Sequence, residues 1–253
     1  QTPNSEVRLT ATIPWSFLED HPQGSMKALL NASLGKEDLL IAAGSLPEDF
    51  KKAYPDKPLA ITAGVEGNLS SIRITQGDIM LPGAFQMNVT GSMESVTDSI
   101  RRTGEIQLKA RSGNLDFLLA MLPAAQRDQF AIPAGIQLKG KATLANQEYR
   151  TELTLTQDKG KVDLTARYHP VKPDYEANLR IDSLEPTHFM PKDSLFGLTA
   201  SVKAEGRGTD PFSERTWAKL DGKISDIRYG ASSVSNVSID GSLEKNLLKV
   251  DLL

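Results

Sequence analysis

Gly135-Ile136-Gln137-Leu138-Lys139-Gly140-Lys141-Ala142-Thr143-Leu144 opens the stretch that decides the fold, and the stretch runs on to Tyr168. Ile136, Leu138, Gly140, Ala142 and Leu144 share one phase; Gln137, Lys139, Lys141 and Thr143 share the other. After a turn near Asn146, Tyr149, Thr151, Leu153 and Leu155 alternate with Arg150, Glu152, Thr154 and Thr156. After a second turn over Asp158 to Gly160, Val162, Leu164, Ala166 and Tyr168 alternate with Lys161, Asp163, Thr165 and Arg167. Successive side chains of a strand point to opposite faces. Three strands of this kind make antiparallel sheet with one apolar and one charged face.

The same signature extends both ways. Towards the N-terminus it covers Val7 to Ile13, Met26 to Leu34, Leu59 to Val65, Ile72 and Ile74, Phe85 to Val89, and Ile106 to Ala110. Gly67-Asn68, Gly77-Asp78 and Pro82-Gly83 read as turns between them. Towards the C-terminus it covers Tyr175 to Ile181, Leu198 to Ala204, Ala218 to Ile224 and Val237 to Leu243, with a turn over Gly208-Thr209-Asp210-Pro211. Two stretches depart from period two. Ser45 with Glu48 resembles a capping box ahead of a short helix carrying Phe50, Ala53 and Tyr54, which gives a helical insertion near 45–54. Leu115, Leu118, Leu119 and Leu122 stand at helical spacing behind Asn114, which gives a second near 114–122. They would plug a trough or cover a sheet edge.

The expected fold is mainly β. It is a long antiparallel meander of about fourteen strands, curled into a U-shaped sheet with an apolar groove and short helical insertions. The whole of 1–253 reads as one elongated repeat-built β region. Gly67, Gly91, Gly140, Gly206, Gly222 and Gly241 fall on the apolar phase. They serve either turns and bulges or a sheet that bends over its own apolar face. The alternation fits equally a closed sandwich, whose two apolar faces bury each other, and an open trough able to hold acyl chains. The expected groove lining is Ile136, Leu138, Leu144, Leu153, Leu155, Val162, Leu164, Leu179, Ile181, Leu198, Val202, Leu220 and Ile224.

Composition narrows the function classes. The 253 residues carry 29 basic and 32 acidic side chains, a formal net charge of -3, so nucleic acid is not an expected partner. Aromatic residues are 6%, sparse for stacking on bases or sugars. There is no cysteine, hence no disulfide, thiolate chemistry or Cys-based zinc site. No run of 18 apolar residues offers a spanning helix. The chain opens at Gln1 and closes within the alternation of Leu248, Val250 and Leu252, so it reads as a piece of a longer protein whose anchor or export signal lies elsewhere.

His21, His169 and His188 lie far apart in sequence and match no zinc motif. There is no nucleophile elbow and no phosphate loop; Gly206-Arg207-Gly208 reads as a turn. The scattered carboxylates read as charges of a solvated face. The Asn-x-Ser/Thr tripeptides at Asn31, Asn68, Asn88 and Asn236 are what chance supplies at this composition. The expectation is a chain without catalytic residues, metal or cofactor, whose function resides in its repeating surface.

The segments Leu138 to Tyr149, Gly160 to Tyr168, Tyr175 to Leu184 and Leu198 to Gly206, the last followed by Gly208 and Asp210-Pro211, resemble the TamB family of translocation and assembly module proteins, within the AsmA-like group. The likeness is one of repeated strand–glycine units along nearly the whole chain. It implies a β-taco with a hydrophobic groove, in a periplasmic part of an inner-membrane-anchored protein. It implies phospholipid carried towards the outer membrane, outer-membrane biogenesis, and an outer-membrane barrel assembly protein as partner. The alternative is a structural or protein-interaction β scaffold that assists outer-membrane protein assembly without carrying lipid. A carbohydrate-binding surface is a third reading, weakened by the few aromatics.

Overall fold

A computed structural model describes residues 4–18, 24–68, 70–208, 210, 212–245 and 247–252. His21, and Thr209 and Pro211 of the expected turn, lie outside the described residues. The protein is mainly β, and its strands form a single antiparallel sheet of fifteen that is not closed. Strand order in the sheet is chain order, save that the short strand Ser232–Val234 pairs only with the strand Trp217–Tyr229. Contacts cluster into two units, 1–139 and 140–253.

The first unit holds β1 (Glu6–Thr12), β2 (Met26–Leu34), β3 (Leu59–Gly67), β4 (Ser71–Leu81), β5 (Phe85–Glu94), β6 (Thr103–Ser112) and the start of β7 (Gln137–Ala145). The register carries the alternation from strand to strand. Leu30 of β2 faces Leu9 on one side and Ala63 on the other; Ile61 faces Ala32 and Ile79; Met87 faces Ile79 and Ala110. Residues directly opposite in an antiparallel pair share a face, so the apolar side chains gather on one side. Gly77-Asp78 is not a turn. It lies inside the eleven-residue β4, where the register with β5 shifts between Ile74 and Asp78, and the chain reverses at Pro82-Gly83 instead. A bulge uses the same residue types as a turn, because both leave backbone groups outside the ladder.

The buried core of this unit lies at the strand ends. Helices α1 (Lys36–Ala42) and α2 (Glu48–Ala53) and a 3-10 turn over Asp116–Met121 supply it together with the β4–β5 hairpin, and α3 (Ala124–Arg127) follows the turn. Phe50, Tyr54, Leu81, Ala84, Phe117 and Ala120 are buried together. Tyr54 and Phe117 meet edge to face with centroids 5.3 Å apart, and Phe50 stands 5.8 Å from Phe117. Burial pushes the Tyr54 phenol pKa up. Arg127 ties the assembly by an ion pair with Asp49 at 2.7 Å and a hydrogen bond to the Leu122 carbonyl at 2.9 Å.

Two local readings change here. Ser45 does not cap α2; the helix starts after Pro47, with no side-chain cap, as the bias of a pre-proline residue away from helical angles requires of Leu46. The second insertion is 3-10 rather than α, so positions three apart align and Phe117 and Ala120 face inward. Leu118 is exposed instead, while Asn114 accepts a hydrogen bond from the Asp116 amide at 2.9 Å.

The second unit holds the rest of β7, then β8 (Glu148–Gln157), β9 (Gly160–His169), β10 (Asp174–Leu184), β11 (Leu195–Arg207), β12 (Trp217–Tyr229), β13 (Ser232–Val234), β14 (Val237–Glu244) and β15 (Leu247–Leu252). Asn146 and Gln147 turn β7 into β8 with φ of 51° and 61°, the left-handed pair of a tight hairpin.

Gly91 and Gly206, both of the apolar phase, sit where a neighbouring strand approaches closely. A Cβ at Gly91 would stand 2.6 Å from the Glu105 carbonyl oxygen on β6. One at Gly206 would stand 2.5 Å from the Trp217 carbonyl oxygen and run into the ring of its cross-strand partner Tyr175. Neighbouring backbone is thus drawn in over this face, and only glycine leaves room for it. At Gly241 the nearest atom would be the Leu220 Cβ at 3.5 Å, an ordinary contact. Gly91→Ala and Gly206→Ala are therefore expected to lower stability by about 1–3 kcal/mol, and Gly241→Ala to stay within about 0.5 kcal/mol. Denaturant unfolding of the three variants measures the difference; equal effects at all three would remove the close-approach argument.

Candidate functional site: the apolar face of the sheet

In the second unit the strand registers align into long rows. One row runs Leu153, Leu164, Leu179, Val202, Gly222, Ile239, Leu252 across seven strands. The next runs Leu155, Val162, Ile181, Ala200, Ile224, Val237. On the other side lies Thr151, Ala166, Ala177, Ala204, Leu220, Gly241, Val250. Ten of the expected lining residues, all but Ile136, Leu138 and Leu144, belong to strands of these registers. Nine of the ten fall directly in the three rows, and Leu198 continues them, facing Leu184 on β10 and Ile227 on β12. On β7, Leu138 and Leu144 occupy half-buried positions, as do Gly140 and Ala142 between them. Ile136, also half-buried, precedes β7 and is held by a hydrogen bond from its amide to the Ser112 hydroxyl at 3.0 Å.

Leu184 and Ile227 were not legible as lining residues. Register shifts between Ile181 and Leu184, and between Thr199 and Ala200, insert an extra residue beside each. Period two is lost at that point, so the count along the strand assigns the wrong face, while the pairing with Leu198 shows the right one. Ser183, with φ 48°, marks the first of these shifts.

A fourth row begins with Tyr149, Tyr168 and Tyr175 and continues through Gly206, Ala218, Leu243 and Leu248. Seven strands and four rows make a face on the order of 600 Å² in projection. That is at the upper end of the apolar patches that monomers leave open.

The rows are not sealed. Leu153, Leu155, Val162, Leu164, Leu179, Ile181, Val202 and Ile224 are only half-buried, and Leu220 is exposed. Ala200 is the single fully buried hydrophobic residue among the described residues of the second unit. Exposure rises at the margins, to 57% at Val250 and 69% at Leu252. A sandwich core would bury these positions against a second sheet; here every strand belongs to one sheet.

The opposite phase is charged and internally paired. Arg167 bridges Glu176 at 2.9 Å and reaches Glu148 at 3.7 Å; Arg150 meets Glu148 at 2.6 Å; Arg207 meets Asp174 at 2.5 Å. Hydrogen bonds from Arg150, Arg167 and Arg207 hold the Glu148, Glu176 and Asp174 carboxyls below the usual carboxylate range. Surface pairs like these contribute little stability each, but they keep this face wet and leave the apolar face as the one without polar partners.

His169 ends β9, and His188 sits by the buried Gln157, its Nδ1 3.0 Å from Oε1. Among the described residues no three His, Asp or Glu side chains converge as a metal site, and no helix is long and apolar enough to cross a membrane.

No family model, curated protein or solved structure matches this chain.

Because the chain has no cysteine, single cysteines report accessibility cleanly. Leu153→Cys and Leu164→Cys are expected to react with a small uncharged maleimide within about tenfold of the rate at Thr165→Cys, which faces solvent on the opposite phase. Protection of both by more than about a hundredfold, as in a sealed core, would contradict an open face.

Proposed function

We propose that the chain is a non-catalytic lipid-carrying module whose apolar face holds phospholipid acyl chains. The observation that carries this reading is the in-register, half-exposed apolar face of the second unit, which no other layer of described residues covers. Water is a poor partner for such a surface. Each acyl methylene moved onto it gains on the order of 0.8 kcal/mol when fully buried, so a chain of ordinary length repays its own ordering. The lining suits this task. It is built of Leu, Ile, Val and Ala with few rings, which gives a smooth surface without shaped subsites, and it needs no specific polar contact to accept successive lipids.

The resemblance to the TamB family supports the same reading and supplies its setting. On this proposal the chain is a periplasmic part of an inner-membrane-anchored protein. It passes phospholipid between the inner and outer membranes in support of outer-membrane biogenesis, together with an outer-membrane barrel assembly protein. The strand–glycine units that carry the resemblance are the same units that form the rows.

The test is lipid mass spectrometry on the gently purified chain, beside a closed β-sandwich control. Near-stoichiometric phospholipid is expected with the unaltered chain. Loss of most of it is expected in Leu153→Glu, since a carboxylate in the middle row must be desolvated by any acyl chain lying over it. Lipid at control level in the unaltered chain would overturn the proposal and favour the scaffold reading.

A further inference from the structure

The polar phase of the first unit holds a groove of about 450 Å³ across β4, β5, β6 and the start of β7. Lys109, Arg111, Lys139, Asp78, Asn88 and Gln86 line it. Ile79, Met87, Ala110 and Leu138 also border it, and as the alternate residues of these strands they turn their side chains to the other face, so their backbone forms its floor.

Many strand cations of the polar face sit against carboxylates: Lys27 on Glu66, Lys161 on Asp163, Arg180 on Asp182, Lys219 on Asp221. The groove instead gathers several cations that do not. Lys109, Arg111 and Lys139 have no carboxylate partner among the described residues. The carboxylate in the groove, Asp78, is engaged otherwise. Its two oxygens accept hydrogen bonds from Asn88 and Gln76, each at 2.9 Å. The register explains the spacing. Lys109 and Arg111 are two apart on β6, so they stand about 7 Å from one another on one face, and Lys109 is opposite Asn88 while Arg111 is opposite Gln86. Lys139 comes from the next strand in the order. Three cations outside any ion pair thus surround one concavity that holds a single carboxylate, so the groove is net positive in a chain whose net charge is negative.

We propose that this groove is a phosphate-binding site, with Lys109, Arg111 and Lys139 as the cationic ligands of a phosphate monoester or diester. A guanidinium fork matches two phosphate oxygens, and ammonium groups neutralise the remaining charge. Amide donors from Gln86 and Gln137 at the same groove can take further oxygens. The volume admits a phosphate with a glycerol-sized substituent and falls far short of a whole phospholipid. The site is independent of the lipid reading, because it uses the opposite phase of the sheet.

Phosphorus NMR titration of the full chain with inorganic phosphate and with glycerol 3-phosphate, at about 20 mM ionic strength to limit screening, tests it. Sedimentation with phosphatidylcholine vesicles, with and without phosphatidylglycerol, runs alongside. Saturable binding is expected for at least one probe. It should weaken about tenfold in each of Lys109→Gln, Arg111→Gln and Lys139→Gln and vanish in the triple variant. Lys109→Arg and Lys139→Arg should retain it, and so should Lys223→Gln, a strand cation outside the groove. Binding of the soluble phosphates alone names a free phosphate ester as the source, and binding of the phosphatidylglycerol vesicles alone names a lipid headgroup. Leu153→Glu should leave phosphate binding unchanged even where it abolishes acyl-chain retention, so the two readings fail separately. No saturable binding by the unaltered chain, or undiminished binding by the triple variant, would overturn the proposal.

Discussion

Everything in this structure depends on strict cross-strand register between strands of period two. Pairing fixes which residues stand opposite, and opposition fixes the face. A slip of one residue would move an entire apolar set into water and a charged set onto the apolar side. Nearly neutral, short-looped strands would tolerate such slips. Here the two faces are so unlike that every strand is held in its place by its own composition, and the ion pairs of the polar phase add a second check on the same register. The rows of the second unit, up to seven strands long, are the accumulated result.

That arrangement leaves a problem that most β proteins solve with a second layer. A sheet with one apolar face buries it under a second sheet or under helices. In the first unit, helices and 3-10 turns assemble an aromatic core around Phe50, Tyr54 and Phe117, but this core sits at the strand ends and includes Leu81 and Ala84 of the β4–β5 hairpin. It caps the face at one end rather than roofing it. Among the described residues of the second unit the buried hydrophobic residues reduce to Ala200. An uncovered face is unfavourable in water by itself, and that is the ground on which an apolar guest is proposed. The glycines belong to the same design, since Gly91 and Gly206 let neighbouring backbone close in on the side where the guest would lie.

The sheet is legible in the sequence because alternation is a local property that survives in any strand. The apolar phase of Leu153, Leu164 and Leu179 follows from counting in twos along each strand. The features that are not legible depend on information between strands. Gly77-Asp78 has the composition of a turn, and only its neighbours β3 and β5 show that it is a bulge within β4. Leu184 and Ile227 lie just past register shifts, where counting in twos points the wrong way. The packing of Phe50 and Tyr54 on Phe117 joins residues more than sixty positions apart, and no spacing rule connects them. The groove formed by Lys109, Arg111 and Lys139 was invisible for a related reason: each is an ordinary polar-phase residue, and what sets them apart is that neighbouring strands bring them to one concavity.

The central claim is that the apolar face meets acyl chains directly. A photoreactive benzophenone amino acid at Leu164, in one of the seven-strand rows, tests it against the same group at Thr165, one residue on and facing the opposite way. After irradiation in the presence of phospholipid, the account predicts a lipid adduct on the Leu164 variant and none above background on the Thr165 variant. Equal adducts at the two positions, or none at Leu164, would contradict it.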